Sequence, residues 1–300
     1  MNSAFSPPPT SGRALVLGGG GSAGNAWLIG VVAGLADAGI DLAEADLIVG
    51  TSAGSTAAAQ IAGSPPAALF AAAVSAPPPT TAPRGHRRPG PAGPGTRHLD
   101  RMREIIAASA GPAEWRRRMG VALGAEATAP TSAQWRATVS ARFATALWPR
   151  QRVLITAVDA GTGEPVVFDR DSGVDLVDAV AASCAGGFAY EIGDTRYIDG
   201  GFRSNADNAD LAAGYERVLV LSPLGGRSFT PVEWGTHLAT QIAALRAGGS
   251  RVETVFPDAE SRAAFGDNLM NPQVRPPSAR AGYAQGAGAA GLLEEFWTLS

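Results

Sequence analysis

The chain has no lysine. All 24 of its basic residues are arginine, set against 27 acidic ones for a net charge of −3. A balance this close to neutral gives no basis for nucleic-acid binding, and arginine-only usage alongside heavy alanine use reads as compositional bias rather than function. A single cysteine, Cys184, excludes an internal disulfide and a cysteine-cluster metal site, which leaves it the role of a small core residue. Histidine is nearly as scarce, with only His86, His98 and His237. No stretch offers the roughly 18 unbroken apolar residues of a membrane span. Residues 1–12 are rich in serine and proline, without the basic start or apolar run of a secretory leader. These absences lead to the expectation of a soluble cytoplasmic protein: a disordered tail over 1–12, then one domain over 13–300. At 300 residues and 45% hydrophobic, the chain can bury a full core.

The chain is well supplied with glycine, 38 residues in all, and two clusters stand at strand-to-helix transitions. In the first, the apolar run Leu47, Ile48, Val49 leads into Gly50-Thr51-Ser52-Ala53-Gly54 and an alanine-rich helical segment. A serine between glycines two before and two after, on a turn from strand to helix, has the pattern of a nucleophile elbow. The turn pushes Ser52 Oγ out at the end of a sheet, and Gly50 and Gly54 let strand and helix approach. In the second, a strand over 13–17 runs into Gly18, Gly19, Gly20 and Gly21, then Gly24, followed by a helical segment over 25–38. A row of backbone N–H groups free of side chains cradles negative charge. Two readings fit it. Gly19, Gly21 and Gly24 match the dinucleotide fingerprint, and the same N–H groups beside a nucleophilic serine make an oxyanion hole. The dinucleotide reading asks for an acidic residue closing the next strand, where this chain has its elbow.

The segment over 76–98 changes character: proline, glycine and arginine exclude stable helix or ladder, and it reads as a basic, mobile insertion, either lid or linker. Helices are expected over 100–110 with Asp100 as cap, over 112–123, and over 131–148 with Thr131 and Gln134 as a capping box. Trp115, Trp135, Phe143 and Trp148 face the core or a lipid-sized groove. Strands over 152–158 and 165–168 extend the sheet, and a helix over 174–185 follows a Ser172 cap. A further strand ends in Asp199-Gly200-Gly201, which is a turn former on its own and a catalytic base if it meets Ser52. The three histidines suit a fixed relay poorly: His86 and His98 flank the insertion, and His237 lies one turn into a helix capped at 230–233. Residues 204–211 read as a polar cap on another helix, in which Asn205 and Asn208 orient the Asp199 loop or serve the turn. Strands over 217–221 and 251–256, a helix opened by Asp258 and running to 271, and a helical tail over 277–296 covering one sheet edge complete the chain.

Strand, glycine-rich turn and helix, then Gly-Thr-Ser-Ala-Gly, then Asp-Gly-Gly, in that order and at those separations, resemble the patatin-like phospholipases. The resemblance implies a three-layer α/β fold with a mostly parallel central sheet flanked by helices, and a lipid acyl hydrolase with a Ser-Asp dyad. It implies Ser52 as nucleophile, Asp199 as base, and N–H groups of Gly19, Gly20, Gly21 and Ala53 at the oxyanion. Gly24, Gly50, Gly54, Gly200 and Gly201 are then motif glycines. It implies a lipid or acyl-ester substrate, no cofactor and no metal, with peripheral contact at anionic membrane surfaces as an added expectation. Two positions depart from the family pattern: Ala23 stands where many members carry arginine or lysine, and Cys184-Ala185-Gly186-Gly187-Phe188 where a proline is frequent. Two alternatives accompany this reading: a nucleotide- or dinucleotide-binding protein using the glycine loop, and a catalytically silent lipid-binding relative.

Overall fold

A computed structural model describes residues 12–75, 94–126 and 129–298, with the side chains of 94–98 left out. The tail expected over 1–12 and most of the insertion expected over 76–98 therefore lie outside the described residues.

The hydrophobic pattern of four short strands dictates a sheet buried on both sides. In β1 (Arg13–Leu17), β2 (Leu47–Gly50), β3 (Arg152–Asp159) and β7 (Arg217–Leu221) nearly every residue is buried. Runs of this kind, apolar at every position, belong in parallel sheets covered on both faces. Successive side chains divide between the two cores: Leu15, Leu17, Ile48, Leu219 and Leu221 fill one, Ala14, Val16, Val49, Val218 and Val220 the other. Together with β8 (Arg251–Val255) these strands form a parallel ladder in the order β3-β2-β1-β7-β8. At the far side of β3 the sheet turns antiparallel through β4 (Pro165–Phe168) and β6 (Thr195–Asp199), and β5 (Tyr190–Ile192) closes it.

The helix α1 (Gly21–Asp37) is apolar around its whole circumference, buried from Ala23 to Leu35, and so must be covered on its outer side as well. That cover is α10 (Arg275–Thr298). The tail expected to cap a sheet edge instead lies along α1, because small residues let the two backbones touch. A Cβ at Gly30 would stand 2.2 Å from the Ala279 carbonyl oxygen, and one at Gly282 would stand 2.4 Å from that of Trp27. Trp27 closes the joint by donating from Nε1 to Ser261 Oγ and Gln285 Oε1. On the opposite face α8 (Leu238–Ala247) and the turn Ala209–Ala212 cover the second core. A third cluster, with Trp115, Met119, Ile198 and Phe202, seats α4 (Pro94–Ala107) and α5 (Pro112–Gly124) on β6. The architecture is α/β: a mixed, mostly parallel central sheet flanked by helices.

Several elements differ from the sequence expectations for identifiable reasons. Helix α4 starts at Pro94, a favourable first position, so Asp100 is no cap and instead pairs with Arg103 one turn on. Helix α6 (Ser132–Ser140) has the Thr131–Gln134 capping box but stops well short of 148, where Gln60 Nε2 captures the Arg142 carbonyl. Helix α7 (Leu176–Ser183) begins after Asp175, because Ser172 is engaged with Asp169. Residues 204–207 are bends that lead into a short 3-10 turn, Ala209–Ala212, in place of a helix. His237 stands at the N-cap position just before α8, behind the turn Val232–Trp234, and its side chain makes no capping bond. Asp258 does cap α9 (Ala259–Phe265), which Gly266 ends at φ 62°. Among the described residues no helix is long and apolar enough to cross a membrane.

The α1–α10 contact yields a paired prediction. Gly34→Val would drive a side chain into the Tyr283 carbonyl, 2.2 Å from the new Cβ, whereas Gly288 in α10 has open space around it. Thermal melts are expected to show Gly34→Val destabilised by about 1–3 kcal/mol and Gly288→Ala stabilised by about 0.5–1 kcal/mol.

Candidate active site

The elbow forms where β2 runs into α2 (Ala53–Ile61). Ser52 takes φ 52° and ψ −115°, one of two described non-glycine residues at positive φ. Holding such a conformation costs of order 1–3 kcal/mol, and the surroundings must impose it. Gly54 is required because a Cβ there would lie 1.9 Å from the Leu17 carbonyl oxygen, and Gly50 because one would lie 2.7 Å from Ser55 Cα. The Ser52 peptide is then pinned at both ends. Its N–H donates to Ser183 Oγ at 2.9 Å, and its carbonyl accepts from Ser55 Oγ at 2.6 Å and from Cys184 Sγ at 3.2 Å. Burial pushes the Cys184 thiol pKa up, so the sulfur keeps the proton it donates. Cys184, half-buried against the core, thus also makes a specific bond to the elbow.

Asp199 ends β6, in register with Ala157 of β3. The residue is 9% exposed, its Oδ1 accepts the Gly201 N–H at 2.8 Å, and its carboxyl lies near the Ser52 hydroxyl. Burial raises its pKa to about 6, while the Gly201 and Ser52 bonds pull the other way. The elbow and the aspartate loop are tied together from below: Asn208 Nδ2 donates to Thr51 Oγ1 at 3.0 Å and to the Gly200 carbonyl at 2.9 Å. Thr51 Oγ1 also lies 3.0 Å from Thr156 Oγ1, which Gly200 contacts closely.

The glycine turn after β1 lies beside the elbow, with Ser52 Cβ 3.4 Å from where a Cβ on Gly19 would stand. The turn corrects one expectation. Gly19 N–H is already spent on the Ala206 carbonyl at 2.8 Å, which leaves it no proton for an oxyanion. The N–H groups of Gly20, Gly21 and Ala53 meet no acceptor among the described residues. Gly24 sits in the first turn of α1 against Pro223. The end of β2, where a dinucleotide-binding protein would place an acid, holds Thr51 and Ser52.

A cavity of about 260 Å³ opens over Ser52 and Asp199. One wall is apolar, with Met102, Ile106, Trp115 and Phe202, and the other is the loop carrying Arg227, Ser228 and Thr230. Of the aromatics weighed as core or groove, Trp115 lines this cavity; Trp135 and Trp148 donate to the Ala181 and Val174 carbonyls instead. His237 lies outside the lining and its Nε2 bonds the Thr230 carbonyl; His86 and the His98 side chain are outside the described residues. Among the described residues no group of three histidines, cysteines or carboxylates could hold a metal ion.

Residues 15–212, well over half of the chain, match the family model of the patatin-like phospholipases. The chain belongs to that family, whose activity is the hydrolysis of lipid acyl esters. Among solved structures, VipD from Legionella pneumophila is 13% identical over 95% of this chain and 67% of its own, with a TM-score of 0.42, too distant to bear on the assignment. No curated protein matches the chain.

The dependence of the elbow on a distant hydroxyl can be measured. Ser183→Ala removes the only acceptor of the Ser52 N–H among the described residues, and Ser183 is itself fully buried. We expect a loss of about 1–3 kcal/mol in denaturant unfolding, accompanied by a fall in kcat toward any ester the protein hydrolyses.

Proposed function

We propose that this chain is a serine acyl hydrolase acting on lipid esters through a Ser52–Asp199 dyad. The observation that carries the reading is a strained serine whose hydroxyl faces a buried carboxylate at the floor of a half-apolar cavity. Ser52 Oγ attacks the ester carbonyl as Asp199 takes its proton. The carbonyl electron pair moves onto the oxygen, stabilised by the N–H groups of Gly20, Gly21 and Ala53. Collapse of the adduct expels the alcohol, which takes the proton from Asp199 and leaves an acyl group on Ser52. A water molecule then gives a proton to Asp199 and hydroxide to the acyl carbon, and collapse of this second adduct expels Ser52 Oγ, which takes the proton back from Asp199 as the fatty acid leaves. The scheme asks for no cofactor, and an acid with pKa of about 6 is a suitable base near neutrality.

Ser52→Ala is expected to abolish turnover of a chromogenic short-chain ester, by a factor of about 10⁴ or more, with an unchanged melting curve. Asp199→Asn should lose most activity as well, whereas replacing His86, His98 and His237 together by Gln should not. In the wild type kcat/KM should rise as pH passes upward through about 6, since only the ionised carboxylate accepts the proton. Stability runs the other way. The folded pKa lies above the ordinary 3.8, so burial of Asp199 costs nothing below about pH 4 and costs progressively more as pH rises toward 6, reaching about 3 kcal/mol. Full activity in the Ser52→Ala protein would exclude Ser52 as the nucleophile.

The reading extends to peripheral contact with anionic membranes through the basic segment 76–98, on the grounds that Arg84, Arg87 and Arg88 lie within it. Deleting residues 77–95 should leave hydrolysis of a soluble ester nearly unchanged and weaken binding to phosphatidylserine vesicles at low salt. Equal binding by the deletion would reduce the segment to a linker.

A further inference from the structure

The dyad uses one buried acid, and a second lies a few ångströms from the glycine turn with no assigned role. Asp207 is 1% exposed, and its Oδ1 has no hydrogen-bond partner. That oxygen is pressed against Gly18: a Cβ on Gly18 would stand 2.1 Å from it. The elements around the carboxyl are the end of β1, contributing Gly18, the turn after β7, contributing Ser222 and Pro223, and its own segment, in which Asn205 Oδ1 accepts the Asp207 N–H at 2.7 Å. None of these groups titrates. The Ser222 hydroxyl lies near the carboxyl and accepts from Gly226 N–H at 3.0 Å. The preceding residue, Ala206, supplies the carbonyl that fixes Gly19. The acid therefore sits against the turn that lies beside the elbow, at the switch point between β1 and β7.

We propose that neutral Asp207 is a positioning residue that holds the Gly18–Gly20 turn in shape for catalysis, and that its ionisation unseats the turn. A neutral carboxyl tolerates a sealed oxygen without a donor far better than a carboxylate does. Once ionised, the group gains by moving toward water, and movement of residue 207 pulls the Ala206 carbonyl away from Gly19 N–H. Burial alone raises the pKa to about 7, with the Ser222 hydroxyl opposing it and no charged side chain contributing. The enzyme then needs Asp199 ionised and Asp207 protonated, a requirement that gives a bell-shaped pH profile with a narrow optimum between the two transitions.

The catalytic part of this inference rests on the proposed hydrolase reading, so the test has two arms. The first reads the amide resonances of Gly18 and Gly19 by NMR between pH 5 and 9. They are expected to titrate with a midpoint near 7 in the wild type and not to titrate in Asp207→Asn, which is permanently neutral and nearly the same shape. The second reads kcat/KM on a soluble short-chain ester. The wild type should lose activity above about pH 7, roughly tenfold per pH unit for one ionisation. Asp207→Asn should keep the acid limb and hold a plateau to pH 9. Wild-type amides that do not move over this range overturn the proposal, as does an alkaline limb unchanged in Asp207→Asn. If Asp207→Asn does not fold, the wild-type amide titration decides. Amides that titrate as expected in a protein that hydrolyses no ester would retain the role of Asp207 in the turn and remove the hydrolase reading instead.

Discussion

The conformation of one peptide unit, that of Ser52, organises this molecule. A serine at φ 52° is costly, and a chain adopts it only where the gain from the rest of the fold exceeds that cost. Here the constraint comes from four places at once. The parallel strands β1 and β2 bring Leu17 against Gly54, α7 brings Ser183 to the serine N–H, and Ser55 and Cys184 hold its carbonyl.

The aspartate depends on the same framework from the antiparallel side of the sheet. Because β6 pairs with the last residues of β3, its end arrives beside the elbow, and Asn208 ties both loops through Thr51 and Gly200. Residues 205–208 thus serve all three motifs: Ala206 holds the glycine turn, Asp207 packs beneath it and Asn208 joins the other two. The cavity above takes its apolar wall from Met102 and Ile106 of α4, Trp115 of α5, and Phe202 just after the Asp-Gly-Gly motif.

The sheet was largely legible in the sequence, because short apolar runs bounded by glycine, proline or charge leave few alternatives. The strands at 165–168 and 217–221 fall where the pattern puts them. The positions of Ser52, Asp199 and the glycine turn were legible too, since each lies at a strand end with its own local signature. What was hidden depends on contacts distant in sequence. Ser183 reaches Ser52 across 131 positions, and nothing in its neighbourhood marks it. The loss of Gly19 as a donor depends on Ala206, a residue whose side chain carries no information. Helix ends such as that of α6 were misjudged where a side chain from another element takes the next carbonyl. The tail was misplaced because glycines spaced for contact with α1 look, in sequence, only like a weak helix.

The proposed mechanism turns on a covalent step at Ser52. The measurement closest to it is mass spectrometry of the intact protein and its peptides after brief incubation with a fluorophosphonate or a slowly turned-over ester. The account predicts one adduct per chain, on the peptide containing Ser52, absent in the Ser52→Ala protein. Ester turnover with no adduct, or with the label on another residue, would contradict it.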